Sequence, residues 1–274
     1  MASNMSVTTE YLSRPGGRVA YDVRGNGPLV VCVPGMGDVR GVYRFLQPAL
    51  VEAGYRVATM DLRGHGDSDT GFAAYDDVAA GGDVLALVEC LGGPAVLVGN
   101  SMGAGAATWA AAEQPAAVAG LVLIGPFVRQ VPVSWPARAA LRLALLRPWG
   151  PSAWLSYHRR LYPSSRPADL AAHQAAIRAS LARPGGWGAF VATTRTSHAP
   201  VEARLAEVKA PVLVVMGEAD ADFPDPAAEA ALVAARLSGR VVLVPQAGHY
   251  PQAERPDLVG PAVVEFLASA APRA

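Results

Sequence analysis

The chain has 274 residues, 51% of them hydrophobic and 17% charged, with 23 basic and 23 acidic residues in balance. That size and apolar content suit one large α/β domain with room for an insertion. The balanced charge gives no support to a nucleic-acid role, and no run approaches the ~18 uninterrupted apolar residues of a membrane span. Met1 to Arg14 is polar and lacks the apolar stretch of a secretory leader, so a cytoplasmic location is expected. Cys32 and Cys90 fall in apolar strand-like and helix-like runs. Both are expected to be buried free thiols, in keeping with a reducing compartment.

Thr8–Leu12 and Arg18–Val23 read as two strands joined at Pro15-Gly16-Gly17. Leu29–Val33 is a continuous apolar run, the pattern of a buried strand. Val42–Ala53 reads as a helix ending at Gly54, and Arg56–Met60 as a further strand. Asp76–Leu91 is helical in pattern and is broken by Gly92-Gly93-Pro94. Ala95–Val98, Val118–Ile124, Val212–Met216 and Val241–Val244 are four more apolar strands, and a last helix runs from about Asp257 to Ala270. Strands alternating with helices predict a mostly parallel sheet with helices on both faces.

Residues 127–200 break this alternation. Their pattern is helical, and they hold ten of the 23 basic residues, all arginine, against a single acid, Asp169. Trp135, Trp149, Trp154 and Trp187 also lie there. The stretch reads as a helical cap of residues 127–200, inserted between core segments 1–126 and 201–274. Arg138 and Arg142 share one helical face, with Leu141 and Leu145 on the neighbouring one. Such a cap suits a docked lid with solvated arginines, an anionic substrate met by one or two of them, or an acidic partner or anionic surface. Its tryptophans suit an apolar acyl pocket and core packing equally.

The most informative motif is Gly99-Asn100-Ser101-Met102-Gly103, a G-x-S-x-G between a β-branched run and an alanine-rich helical stretch. A strand-turn-helix of this kind lifts a serine hydroxyl clear of the sheet, beside a helix N-terminus whose N–H groups can hold an oxyanion. A serine nucleophile needs a base, and the base needs an orienting acid. Asp220 and His249 each follow a predicted strand, so all three residues fall past strand ends, on the edge where such sheets bind ligands.

With these residues in place the chain resembles a capped member of the α/β-hydrolase superfamily over nearly its whole length. The resemblance rests on four stretches: Pro34-Gly35-Met36-Gly37 as an oxyanion loop, Asp61-Leu62-Arg63-Gly64-His65-Gly66-Asp67-Ser68, the elbow at Ser101, and Gly248-His249 with Glu254-Arg255-Pro256. It implies an α/β-hydrolase fold in which Ser101 is nucleophile, His249 general base and acid, and Asp220 the orienting acid. The amides of Met36 and Met102 would form the oxyanion hole, with no cofactor and no metal. The expected reaction is cleavage of a small-molecule carboxylic ester, lactone or thioester. Carbon–carbon bond hydrolysis of diketone-type substrates, or a non-hydrolytic cyclase or receptor role, stays open on the same fold. Dehalogenases and epoxide hydrolases carry aspartate at the elbow, which Ser101 argues against. The chain departs from the family at Pro34, where a histidine is usual. Proline removes an N–H and a side chain that braces the loop.

Several residues have rival readings. Asp222 competes with Asp220 for the acid role, and the family spacing favours Asp220. Asp220-x-Asp222-x-x-Asp225 hints at a metal loop but lacks the glycine turn and distal glutamate of a calcium site. Gly35-x-Gly37-x-x-x-Gly41 with Asp61 imitates a dinucleotide fingerprint. The Tyr-x-x-x-Lys pair of a short-chain reductase is missing, because the only lysine, Lys209, has Leu205 four residues before it. His65 and Glu254 read as structural, and His158, His173 and His198 as surface or packing residues.

Overall fold

The computed structural model describes residues 8–130 and 134–270. The leader reading of Met1–Arg14 and the outer limits of the two expected core segments therefore lie partly outside the described residues.

Eight strands form one sheet: β1 (Glu10–Arg14), β2 (Gly17–Arg24), β3 (Leu29–Val33), β4 (Arg56–Met60), β5 (Ala95–Asn100), β6 (Val118–Ile124), β7 (Val212–Gly217) and β8 (Arg240–Val244). Their spatial order is β1-β2-β4-β3-β5-β6-β7-β8, antiparallel across β1, β2 and β4 and parallel from β4 to β8. The central strands are apolar throughout because both faces are covered, and alternate residues serve opposite faces. Val31, Val33, Leu97, Leu121 and Val214 face one core layer, while Val30, Cys32, Val98, Val122 and Val215 face the other. Each such side chain contributes roughly 1.5–3 kcal/mol on burial.

Helices α1 (Leu46–Glu52), α2 (Asp77–Cys90) and α3 (Met102–Glu113) follow β3, β4 and β5. Between β6 and β7 lie α4 (Trp135–Ala144), α5 (Gly150–Arg160), α6 (Leu170–Ala182), α7 (Gly186–Thr193) and α8 (Ala199–Glu202), with no strand among the described residues. Helix α9 (Pro226–Leu237) links β7 to β8, and α10 (Pro251–Glu254) and α11 (Pro256–Ala270) follow β8. Helices α2, α3 and α9 cover the first face through Val84, Leu87, Ala107 and Val233. Helices α1 and α11 cover the second through Leu46, Leu50, Val263 and Phe266. The alanines of α3 are buried nearly all round, which explains a sequence with no polar face. The helical insertion carries a separate small core, built from Leu145, Trp154, Ile177, Leu181, Trp187 and Phe190 with Val39 of the β3–α1 loop.

Two local expectations are corrected. The helix expected over Val42–Ala53 is split into a 3-10 turn at Arg40–Tyr43 and α1 from Leu46. Pro48 sits in the first turn of α1, where its missing N–H costs nothing; a helix starting at Val42 would have needed that N–H. Cys90 is exposed rather than buried, because it lies at the last residue of α2. Among the described residues no helix is long and apolar enough to cross a membrane.

Candidate active site

Strand β5 and helix α3 meet at Ser101, whose backbone is forced to φ 56° and ψ −123°. This is a left-handed geometry that a non-glycine residue adopts only when its surroundings impose it. The flanking glycines are required by close approach. A Cβ on Gly103 would lie 2.2 Å from the Val33 carbonyl oxygen, and one on Gly99 would lie 2.4 Å from the Gly103 carbonyl oxygen. The Asn100 side chain fixes the turn from below. Its Nδ2 donates to the carbonyls of Ile124 and His249, both at 3.1 Å, so one amide joins the elbow to β6 and to the histidine loop. Nothing in the sequence marked Asn100 beyond its place in the elbow.

Beyond β7 and β8 the chain delivers Asp220 and His249. His249 Nδ1 lies 2.7 Å from Asp220 Oδ2 and 3.5 Å from Asp222 Oδ2. The shorter contact makes Asp220 the direct partner. Asp222 is the second carboxylate on the same nitrogen, and its backbone N–H donates to Asp220 Oδ1 at 3.0 Å. A carboxylate at Nδ1 holds the proton there and leaves Nε2 as the acceptor. Burial works to lower the His249 pKa, but the two carboxylates outweigh it and push it up to about 9. Gly125 borders the pair, since a Cβ there would sit 3.0 Å from His249 Nδ1 and 3.2 Å from Asp220 Oδ2.

Glu254 is structural, as its setting predicts. Its Oε1 accepts from the amides of Gly248 at 2.8 Å and Tyr250 at 3.3 Å, clamping the turn that carries His249. Burial pushes its carboxyl up to about 7, against the pull of those two amides. His65 is likewise buried, with Nδ1 3.0 Å from the Arg63 carbonyl.

Ser101 and His249 open into a cavity of about 320 Å³ together with Met36, Phe127, Trp154, Tyr157, Phe190, Tyr250 and Asp222. Leu141, Ala144 and Leu145 of the helical insertion form its outer wall. The lining is mainly apolar. Met36 reaches it from the β3–α1 loop, whereas Met102 opens α3, where a first-turn amide has no intrahelical acceptor. No arginine lines this cavity among the described residues, so the expectation of an arginine-bound anionic group is not met there. Those side chains turn elsewhere: Arg129 pairs with Glu229, Arg183 donates to the Ser68 carbonyl at 2.7 Å, and Arg138 and Arg142 border an outer groove with Trp135. Of the four tryptophans, Trp154 lines the cavity and Trp187 packs in the insertion core. Trp135 and Trp149 are exposed.

A wider polar groove of about 530 Å³, bordered by Asp22, Arg40, Arg44 and Asp67, contains neither Ser101 nor His249. Within it Arg40 is paired to Asp22 and Asp67, and beneath it to the buried Asp61. Asp61, the ribose-binding residue of the dinucleotide look-alike, is buried and also accepts from the amides of Arg40 at 2.7 Å and Asp67 at 2.9 Å. Trp154 and Phe190 press on Gly37, where a Cβ would lie 2.4 and 2.6 Å from their rings. The glycine loop therefore offers no open cradle.

A second Asp–His group lies beside the first. Asp38 is completely buried, with His173 Nε2 at 2.7 Å from Oδ1 and His158 Nε2 at 3.4 Å from Oδ2. The two histidines come from α6 and α5. They are packing residues as expected, but polar ones, and nothing in the sequence singles out Asp38: a single acid after the glycine loop carries no signal of partners over a hundred residues away. His198 also differs from a plain surface residue, with Nδ1 2.6 Å from Asp77 Oδ2. Asp38, His158 and His173, and likewise Asp220, Asp222 and His249, place three donor atoms within 4.8 Å of one another. In each group one carboxylate–imidazole contact has the length of a charge-assisted hydrogen bond, the simplest account of both.

A serine on a strand-to-helix elbow, with an imidazole and a carboxylate delivered past later strands of one parallel sheet, is the architecture of a hydrolase. The chain belongs to the α/β-hydrolase family, whose model, described as "Alpha/beta hydrolase family", matches residues 30–262. It is 29% identical to a 2-(acetamidomethylene)succinate hydrolase of Mesorhizobium japonicum, over 92% of each chain. Among solved structures it resembles the esterase RhEst1 of Rhodococcus sp. ECU1013, with 26% identity, 97% and 100% of the two chains covered and a TM-score of 0.78. A hydrolase from Pseudomonas aeruginosa PA01 is 28% identical, covered over 97% and 99%, with a TM-score of 0.76.

Proposed function

We propose that this protein is a serine hydrolase that cleaves a carboxylic ester, lactone or thioester of a small to medium, mainly apolar substrate through an acyl-enzyme. The observation that carries the reading is the meeting of Ser101 and the Asp220-bound imidazole of His249 in one apolar cavity. His249 takes the Ser101 proton as the hydroxyl attacks the carbonyl carbon. The tetrahedral oxyanion rests on the amides of Met36 and Met102. One such donor is worth roughly 3 kcal/mol of barrier. The alcohol departs with the proton from His249, and water activated by the same imidazole releases the acid.

Residues 127–200 serve in this reading as the cap that shapes the acyl pocket. Leu141, Leu145, Trp154 and Phe190 favour a neutral acyl group, while the outward arginines of α4 are available to an acidic partner. The test is a fluorophosphonate probe read by mass spectrometry, together with turnover of neutral p-nitrophenyl esters. A single adduct on Ser101 is expected, and Ser101→Ala should lose both labelling and at least ~10⁴-fold of turnover. Labelling that survives Ser101→Ala overturns the reading. A labelled serine without ester turnover would point instead to the cyclase or receptor role.

A further inference from the structure

The β3–α1 loop that carries Met36 begins with Pro34, which supplies neither an N–H nor a polar side chain to hold it. Within the loop, Asp38 N–H donates to the Gly35 carbonyl at 3.3 Å, and Asp38 Oδ1 accepts from the Val39 amide at 2.7 Å. The remaining polar contacts of Gly37 and the Asp38 side chain come from the helical insertion. Trp154 Nε1 of α5 donates to the Gly37 carbonyl at 3.1 Å. His173 of α6 and His158 of α5 meet the two oxygens of Asp38. Gln174 Nε2 lies 3.4 Å from His158 Nδ1, and as a donor there it fixes the tautomer that presents Nε2–H to Asp38. All three members of this Asp–His group are buried, so the contacts are shielded from water and salt.

We infer that Asp38 is a positioning residue: through His158 and His173 it fastens the Met36–Gly37 loop to α5 and α6 and so sets where the Met36 amide points. The inference rests on the serine-hydrolase reading, in which that amide receives the oxyanion. Burial alone would raise the Asp38 pKa. The two imidazoles outweigh it and hold the carboxyl well below its usual range, so the anchor is an ionised carboxylate. An amide displaced by a fraction of an ångström still permits substrate binding but stabilises the transition state less. The signature is therefore in kcat and not in KM.

The test compares Asp38→Ala, His173→Ala, His173→Gln and, as control, Asp169→Asn on a p-nitrophenyl ester. Rates are scaled to folded protein by circular dichroism and thermal melting. Asp38→Ala should lower kcat about 10–100-fold with KM changed less than about threefold. His173→Ala should show a smaller loss of the same kind. His173→Gln, whose Nε2–H can reach toward Oδ1, should recover most of it. Asp169→Asn breaks an ion pair with Arg44 (2.7 Å) that also ties insertion to core, but at the α1 end of the same connection, where Arg44 bonds the Gly41 carbonyl and not Met36, Gly37 or Asp38, and should leave kcat unchanged.

The inference is overturned if Asp38→Ala keeps kcat, if the loss falls on KM alone, or if Asp169→Asn is equally impaired. It is also overturned if the purified protein carries a stoichiometric metal lost in Asp38→Ala, because the imidazole nitrogens would then be ligands and not donors. Should Asp38→Ala fail to fold, the His173→Ala and His173→Gln pair decides alone. A wild-type enzyme indifferent to Ser101→Ala defeats the underlying reading. Normal dependence on Ser101 with indifference to Asp38 defeats this inference only.

Discussion

Two Asp–His groups with buried carboxylates and imidazoles lie side by side, one at the cavity and one behind it, and their contrast is instructive. Asp220 and His249 come from loops after β7 and β8, and the imidazole borders the cavity. Asp38 comes from the loop after β3, and its two imidazoles come from helices outside the sheet, with no member of the group lining the cavity. Both have a 2.7 Å carboxylate–imidazole contact. The donor chemistry is the same, so the different roles proposed for the two groups rest on access. An imidazole with one nitrogen toward a reactant can move a proton, whereas two imidazoles spent on one carboxylate can only hold position.

The sharpest way to break this contrast is to disable both carboxylates. Asp220→Asn should lower kcat by roughly 10³–10⁴-fold, because the imidazole loses the partner that fixes its tautomer. The loss should stay below that ceiling if Asp222, 3.5 Å from the same nitrogen, takes over part of the role. Asp38→Ala should fall far short of it. Equal losses would mean that the two groups are not different in kind.

The pH profile sharpens the comparison next. With the His249 pKa at about 9, the imidazole is protonated below that value and cannot accept the Ser101 proton. kcat/KM should therefore rise with pH through about 9 and level off above it. Asp222→Asn removes one of the carboxylates that raise this pKa, so the midpoint should move down while plateau activity changes only a few-fold. A midpoint unmoved by Asp222→Asn would assign the effect to Asp220 and, more weakly, Glu254. The same shift bears on stability. The folded pKa lies above the unfolded value of about 6.5, so the contribution is complete below pH ~6.5 and is lost as pH rises through about 9. Thermal melts of wild type and Asp222→Asn across that window measure it.

Much of this architecture was readable in the chain, for local reasons. The sheet announced itself through runs such as Leu29–Val33 and Val212–Met216, whose unbroken apolar character follows from burial on both faces. Ser101, Asp220 and His249 could be assigned to strand ends because elbow and loops follow such runs directly, and the structure gathers them within one site. What was not legible depends on contacts between distant segments. The sequence offers no sign that His158 and His173 would converge on Asp38, since a histidine in a helix looks alike whether it meets water or a carboxylate. The ten arginines of residues 127–200 showed a charge imbalance but not a direction. Only the helix packing turns Leu141 and Leu145 to the cavity and Arg138 and Arg142 to an outer groove. Pro48 shows the opposite case: a local signal, present in the sequence, that places the start of α1 at Leu46 and not at Val42.

The backbone at Ser101 has one more consequence. A side chain held at φ 56° costs about 1–3 kcal/mol, and the packing around Gly99 and Gly103 keeps it there. Glycine would relieve that cost at a penalty of about 0.5–1 kcal/mol in chain entropy. Ser101→Gly should therefore be inactive yet melt up to about 2–4 °C higher than wild type. Stability alone would favour glycine at position 101, so on the serine-hydrolase reading the hydroxyl is kept at the expense of a fold that could be more robust.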